Sequence, residues 1–374
     1  MRVELVQSVC THAGYTASRH VAAATRSASP YTEDHLARFV VDETIWSCVF
    51  DGHGGDAVAV TCARLVEKLA RECHAERETT VDALVLLFSR IDAEITLIGH
   101  TESGSTCNVT VIDPRTGIMT VASLGDSRTL VYGPHNGPRK GPHNGPHKGP
   151  PKGPHGPIAL VFETKDQDCA DEHEQTRLRD LGLVVFEQKV LLRGGAGSAA
   201  VHSTGVYRCS TAGGRDLMTM SSFGDSVHDV PRGAVNKAPR LYTFQLEESH
   251  VVVVCSDGCM EHIAPYSASG IQTRPDIRLA EIAGDIQARV CTDCGRMFAV
   301  GAAMLADHIT TSQIESMARV RGAMMRADRR EEAPAEGADR REDVAHREWV
   351  EREFDNQTVV AVYIGATCTC SPGR

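Results

Sequence analysis

Two rhythms of apolar residues run along this chain. Residues 40–50, Val-Val-Asp-Glu-Thr-Ile-Trp-Ser-Cys-Val-Phe, are β-rich and read as one strand, which stops at the tight-turn sequence Asp51-Gly52-His53-Gly54-Gly55. Residues 57–75 then switch to helical spacing, with Val58, Cys62, Leu65 and Leu69 on one face, and a second helix is predicted over 81–98. The period returns to two over 105–112 and 118–123, separated by the hairpin-type turn Asp113-Pro114-Arg115-Thr116-Gly117. Further strands are predicted at 129–132, 158–162, 217–220, 241–246, 251–255 and 358–364. The pattern is α+β and rich in antiparallel sheet.

Two stretches break the pattern. Residues 133–157 repeat a four-residue Gly-Pro unit that holds half of the sixteen prolines, four basic residues and no acid. Such a segment cannot build a helix, sheet or packed core, and it is predicted to be a flexible basic loop at an expanded hairpin tip. Its histidines, His135, His143, His147 and His155, are metal-ligand types, but the loop reading is preferred. Residues 276–353 are predicted to be helical, ending in a dense mixed-charge run over 326–353.

Composition removes several classes of function. With 374 residues, 41% hydrophobic and 24% charged, the chain is that of an ordinary globular protein. No apolar run approaches the roughly 18–20 residues of a membrane helix, and the first ten residues lack the build of a secretory signal. Residues 8–31 are rich in Ala, Ser and Thr, with Arg19 and Arg26 and no acid, so a mitochondrial transit peptide is the alternative to a cytoplasmic location. Thirteen scattered cysteines, several in apolar runs, fit reduced intracellular thiols better than a disulfide framework. The net charge of −10 disfavours nucleic acid as a general partner, except through the basic repeat.

Short acidic motifs stand at predicted strand ends: Glu33-Asp34, Asp51-Gly52-His53, Gly125-Asp126-Ser127-Arg128, Asp166, Ser256-Asp257-Gly258 and Asp355-Asn356. An acid followed by glycine at the end of an apolar strand lets backbone approach a ligand while the carboxylate projects into a cleft. Hard cations such as Mg²⁺ and Mn²⁺ take several oxygen ligands, which separated segments can supply together.

The order of these blocks resembles the metal-dependent protein phosphatases of type 2C, the PPM serine/threonine phosphatases, over about residues 31–364. The blocks that carry the resemblance are Val49-Phe50-Asp51-Gly52-His53-Gly54-Gly55, Ser103-Gly104-Ser105-Thr106, Val121 to Arg128, Thr164 with Asp166, Glu174 and Arg177, Phe223-Gly224-Asp225, Val254 to Gly258, and Asp355-Asn356-Gln357-Thr358-Val359. The resemblance implies a single phosphatase-like domain over 1–374, with insertions at 133–157 and 265–350. It implies two antiparallel β-sheets in a central sandwich flanked by α-helices, with the metal site at one end. The implied activity is hydrolysis of phosphoserine and phosphothreonine on protein substrates by a water shared between two Mn²⁺ or Mg²⁺ ions. Asp51 would bridge the ions, with the Gly52 carbonyl on one and Asp257 and Asp355 on the other. Glu33 and Asp34 would hold bound waters, and His53 would protonate the leaving oxygen. Asp166, with Asp257 and Glu261, would form a weaker third metal site.

Some positions depart from the family pattern. The phosphate-clasping arginine expected four residues before Glu33 is Ser29, so Arg26 is the substitute, with Arg19 as a second candidate. The arginine two positions before Phe223 is Ser221, and Glu261 stands where aspartate is usual. These losses motivate the alternative of a catalytically weak scaffold or interaction subunit with protein partners. Cys291, Cys294 and His308 miss zinc-finger spacing, and Arg193 to Ser198 lacks the lysine of a phosphate loop.

Overall fold

The computed structural model describes residues 2–12, 15–26, 33–99, 102–134, 158–193, 199–211, 214, 216–247, 250–257 and 357–364. Two antiparallel sheets form its centre. A six-stranded sheet runs in the order β1 (Arg2–His12), β2 (Tyr15–Arg26), β17 (Gln357–Ile364), β16 (Val251–Cys255), β9 (Arg128–Pro134) and β10 (Ile158–Glu163). A five-stranded sheet runs β15 (Arg240–Gln245), β8 (Ile118–Leu124), β7 (Cys107–Asp113), β4 (Thr44–Phe50) and β3 (His35–Val41). Two three-stranded sheets complete the described strands. One joins β5 (Gly52–His53), β6 (Gly104–Ser105) and β14 (Phe223–Gly224); the other joins β11 (Val184–Arg193), β12 (Ala199–Ser210) and β13 (Asp216–Leu217).

Side-chain alternation explains the layers. On β4, Trp46, Cys48 and Phe50 face one way, into a core shared with α1 (Ala57–Glu76) and α2 (Thr80–Ile98). Ile45 and Val49 face the other way and meet Val131, Val252 and Val254 of the six-stranded sheet. The same parity holds on β8, where Ala122 and Leu124 point to the helices and Met119 and Val121 to the second sheet. The expected sandwich is therefore present, and α1 and α2 cover the outer face of its five-stranded sheet. A separate small core of Cys169, Leu178, Cys209, Met220, Ala234 and Val235 packs α3 (Glu172–Asp180) against β12. No helix among the described residues is long and apolar enough to cross a membrane.

Helix boundaries follow the sequence closely. The first turn of α2 is closed by Thr79, whose side chain accepts the Asp82 N–H while its hydroxyl donates to the Asp82 carboxylate. Residues 40–50 are not one strand, however. Asp42 and Glu43 turn the chain back at φ 43° and 70°, so β3 and β4 form a hairpin. Of the predicted strand at 217–220 only Leu217 is in a strand, as the second residue of β13.

Residues 8–31, read above for their targeting-like composition, contribute most of a hairpin of β1 and β2 that joins the sheet beside β17. The repeat joins two neighbouring antiparallel strands, since Pro134 of β9 pairs with Ile158 of β10. Residues 135–157 themselves, the 265–350 insertion with its predicted helices, and Cys291, Cys294 and His308 lie outside the described residues.

Trp46 is fully buried and stacks on Phe39 at a centroid distance of 5.7 Å. Replacing Trp46 with Ala should cost about 3–5 kcal/mol, because the helix–sheet core cannot close over so large a void. Urea unfolding followed by circular dichroism checks this; an unchanged midpoint would mean the layer packing described here is wrong.

Candidate active site

The strand registers bring the acidic motifs to one end of the sandwich. In the six-stranded sheet Cys255 pairs with Arg128 on one side and with Val359 on the other, while Gln357 pairs with Arg26. In the five-stranded sheet His35 pairs with Phe50, and Cys107 with Leu124. The residues just beyond these ends surround one cleft of ≈ 230 Å³, lined by Glu33, Asp51, Gly52, His53, Thr106, Asp126 and Asp257. Its far wall is Arg208 with residues 216–219.

Local chemistry fixes each group. Asp51 leaves β4 with its N–H donating to Thr106 Oγ1 (3.1 Å) and its carbonyl accepting from Thr106 N–H (2.9 Å). Thr106 Oγ1 continues to Ser127 Oγ (2.7 Å), and Asn108 Nδ2 donates to the Ser127 carbonyl (3.2 Å). Thr129 Oγ1 donates to Asn108 Oδ1 (2.8 Å) and meets Thr110 Oγ1 (2.7 Å). This buried network ties the cleft to the sandwich interior. Gly52 is required by close approach, since a Cβ there would lie 2.5 Å from the Glu33 carbonyl oxygen. Glu33 is anchored by the Gly55 N–H, which donates to its Oε1 at 2.7 Å. Asp34, almost fully buried, accepts from Ser256 Oγ at 2.8 Å and so locks the start of β3 to the end of β16.

His53 Nε2 lies 2.6 Å from Asp225 Oδ2, which also accepts from Ser222 Oγ at 2.6 Å. Asp225 is fully buried at φ 51°. The turn that carries it is held by Lys237 Nζ, which donates to the carbonyls of Ser222 (2.8 Å) and Gly224 (2.6 Å). The backbone of Gly104 lies directly against the His53–Asp225 pair, where any Cβ would overlap both side chains. Burial alone would lower the His53 pKa. The hydrogen bond and charge of Asp225, aided by Asp126 and Glu33, overcome this and hold it above its ordinary value. Burial likewise opposes the charge of Asp225, but His53, Ser222 and Lys237 together keep that carboxyl below the usual range. Asp126 goes the other way: burial and then the charges of Asp166 and Asp168 push it up to about 7.

The sequence-derived residues divide into three groups. Glu33, Asp51, Gly52, His53 and Asp257 converge on the cleft, with Asp34 directly behind it. Asp166 does not join them. Arg128 grips it with Nε and Nη2 at 2.7 and 2.5 Å, and a carboxylate occupied by a guanidinium fork is a poor third-site metal ligand; Asp126 takes the place beside the cleft instead. Glu174 and Arg177 pair with each other at 2.5 Å and pin α3 to the Gly233 and Ala234 carbonyls, a structural duty. Arg26 is the last residue of β2, where its backbone pairs with Gln357. Asp355, Glu261 and Ser29 lie outside the described residues. Sequence reasoning missed Asp225 as the partner of His53, and missed Lys237 and Arg208. Asp225 stood in a quoted motif, but nothing in its spacing pointed to a histidine 172 positions away.

The carboxylates and the Gly52 carbonyl are all oxygen donors, so the residue types that line the cleft fit a hard divalent cation. Among the described residues no three His, Cys, Asp or Glu side chains are close enough together to chelate a metal by themselves. Water and substrate oxygens would have to complete any coordination shell.

Comparison with known proteins agrees with the fold. The family model described as Protein phosphatase 2C matches residues 40–274. A serine-threonine phosphatase 2C from Toxoplasma gondii superposes with TM-score 0.54 at 16% identity, covering 97% of this chain and 99% of that one. A phosphatase from a pathogenic strain of Toxoplasma gondii also superposes with TM-score 0.54 at 16% identity, covering 97% and 95%. A C. elegans sex determining protein gives TM-score 0.55 at 17% identity, covering 92% of this chain; the chain spans 64% of that longer protein. At these identities the likeness is one of fold.

The opposite shifts of His53 and Asp225 set a pH window. The raised histidine contributes stability fully present below its unfolded value of 6.5 and lost as pH rises through the folded value. The lowered aspartate contributes stability present above 3.8 and lost as pH falls through its folded value. An Asp225→Asn variant should therefore be destabilised by about 1–3 kcal/mol between those limits, with the gap from wild type shrinking on both sides. Thermal unfolding across pH 3 to 9 reads this; a gap independent of pH would remove the ion pair from the account.

Proposed function

Since the chain belongs to the protein phosphatase 2C family, we propose that it hydrolyses phosphoserine and phosphothreonine esters on protein substrates, with Mn²⁺ or Mg²⁺ held in the acidic cleft. One observation carries this reading: Glu33, Asp51, Gly52, His53 and Asp257, drawn from three separate segments, line a single cleft at the strand ends. Asp51, Asp257 and the Gly52 carbonyl would hold the cations, with Asp355 as a further ligand supplied from just before β17, and Glu33 and Asp34 would orient coordinated waters. When bound, the cations supply Lewis acidity, lowering the pKa of water and offsetting charge on phosphate oxygens.

The protein's own groups do the remaining work. Thr106 fixes the Asp51 backbone on both sides, so its carboxylate needs no reorganisation when substrate arrives. Asp225 favours the protonated form of His53, and with Nε2 engaged there, the proton that would be available to a departing serine or threonine oxygen is the one on Nδ1. An alkoxide is a poor leaving group, so that proton matters most for alkyl phosphates. No covalent phospho-enzyme is required, and no cysteine lies in the cleft lining. The buried thiols of Cys48, Cys62 and Cys107 are pushed far up by desolvation and are inert.

Phosphate release from a phosphothreonine peptide should require Mn²⁺ or Mg²⁺, stop with chelator and fall by about 10²-fold or more in Asp51→Asn. His53→Gln should lower turnover of the same peptide by roughly 10²-fold while sparing p-nitrophenyl phosphate, whose leaving group needs little protonation. Undiminished activity in excess chelator would end this reading. Stoichiometric partner binding by an inactive wild-type protein would favour the scaffold alternative.

A further inference from the structure

Besides His53, the described residues that line the cleft include one basic side chain, Arg208. It sits on β12, in the hairpin with β11, outside every motif block that aligned with the family. Two neutral acceptors hold it. Its Nε donates to Gln188 Oε1 at 2.9 Å, and its Nη1 donates to the Asp216 carbonyl at 3.0 Å. Gln188 stands where the β11–β12 register breaks between Glu187 and Lys189, and such an irregularity re-aims a side chain away from the regular pleat. Asp216 begins β13, which pairs with β12 through Cys209 and Ser210. The guanidinium is thus braced from two strands. Although Glu33, Asp51, Asp126, Asp216 and Asp257 line the same cleft, no carboxylate among the described residues lies within ion-pair distance of it, whereas Arg128, Arg177 and Arg240 nearby are all paired with acids.

A half-buried guanidinium, oriented by neutral groups and left with its charge uncompensated, is built to receive an anion. We propose that Arg208 is the residue that binds the phosphoryl group of the substrate, taking over from the arginine that Ser29 replaces. This inference rests on the phosphatase reading for the identity of its anion, a phosphate monoester. It adds a fixed positive fork opposite the acidic side of the cleft, so the phosphoryl oxygens are held from the β12 wall while the phosphorus faces Asp51 and His53.

The test compares wild type, Arg208→Gln, Arg208→Lys, Gln188→Leu and Arg26→Ala with Mn²⁺ present. Arg208→Gln should raise KM about tenfold or more for both a phosphothreonine peptide and p-nitrophenyl phosphate, with kcat changed less than about threefold. Arg208→Lys should recover part of the loss, and Gln188→Leu should give an intermediate rise, since it frees the fork without removing the charge. An unchanged KM in Arg208→Gln, or a rise found in Arg26→Ala alone, would overturn the assignment while leaving the phosphatase reading intact. Inorganic phosphate supplies a readout that does not need turnover. Its protection of the wild type in thermal unfolding should weaken at least about tenfold in apparent affinity in Arg208→Gln. If the wild type hydrolyses nothing yet shows that difference, the arginine assignment stands and the phosphatase reading falls; equal protection of both proteins would overturn the assignment.

Discussion

Ile45 and Val49 of one sheet must meet Val252 and Val254 of the other for the sandwich to close, and that contact decides where everything else falls. Once two antiparallel sheets are stacked in this register, alternate connections come out at opposite ends. The approach to β3, the exits of β4, β8 and β16 and the entries to β7 and β9 share one end, and they carry Glu33, Asp51, Asp257, Thr106 and Asp126. The other end takes the Asp42–Glu43 turn, the turn before β8 and the junction of β9 with β10. The Gly-Pro repeat is therefore attached away from the cleft, since its flanking pair Pro134 and Ile158 lies beyond Tyr132, which pairs with Val251 rather than with Cys255. A long connection between these two strands is tolerable because the entropic cost of closing a loop grows only slowly with its length.

The interior of the sandwich is not uniformly apolar. Asn108, Thr110, Ser123, Ser127 and Thr129 are buried, and each would be costly if left unpaired. They are bonded to one another and, through Thr106, to the backbone of Asp51. Such a network is worth having only when complete, and its completeness here gives the cleft a stiff floor. The position of Asp51 is thus inherited from packing deep between the sheets rather than from the loop that follows it.

Much of this was legible from the chain. The helices showed because Val58, Cys62 and Leu69 recur at helical spacing and all face the core. The metal-type acids showed because each precedes or follows an apolar strand. The β3–β4 hairpin did not, because its turn uses Asp42 and Glu43 at positive φ instead of the glycine or asparagine that usually marks such a turn. The β1–β2 hairpin was hidden by an Ala, Ser and Thr composition without alternation, and α3 by its polarity, since Glu174 and Leu178 are the residues it buries. Arg208 was invisible for a further reason: its role depends on a register break and on an acceptor twenty positions away.

Charge pairing across the cleft shows why such partners matter more than residue type. Asp126 and Asp225 are both buried aspartates near His53, yet their carboxyls are driven in opposite directions. Burial disfavours the charged form of both; at Asp126 the charges of Asp166 and Asp168 add to it and push the carboxyl up to about 7, whereas at Asp225 His53, Ser222 and Lys237 outweigh it and hold the carboxyl below the usual range. Lys237 holds the turn behind the histidine pair through the Ser222 and Gly224 carbonyls. The side formed by Glu33, Asp51, Asp126 and Asp257 brings four carboxyl groups into the lining of one cleft. Carboxyl oxygens gathered in one place by the fold, from segments far apart in the chain, are the donors that a hard divalent cation takes.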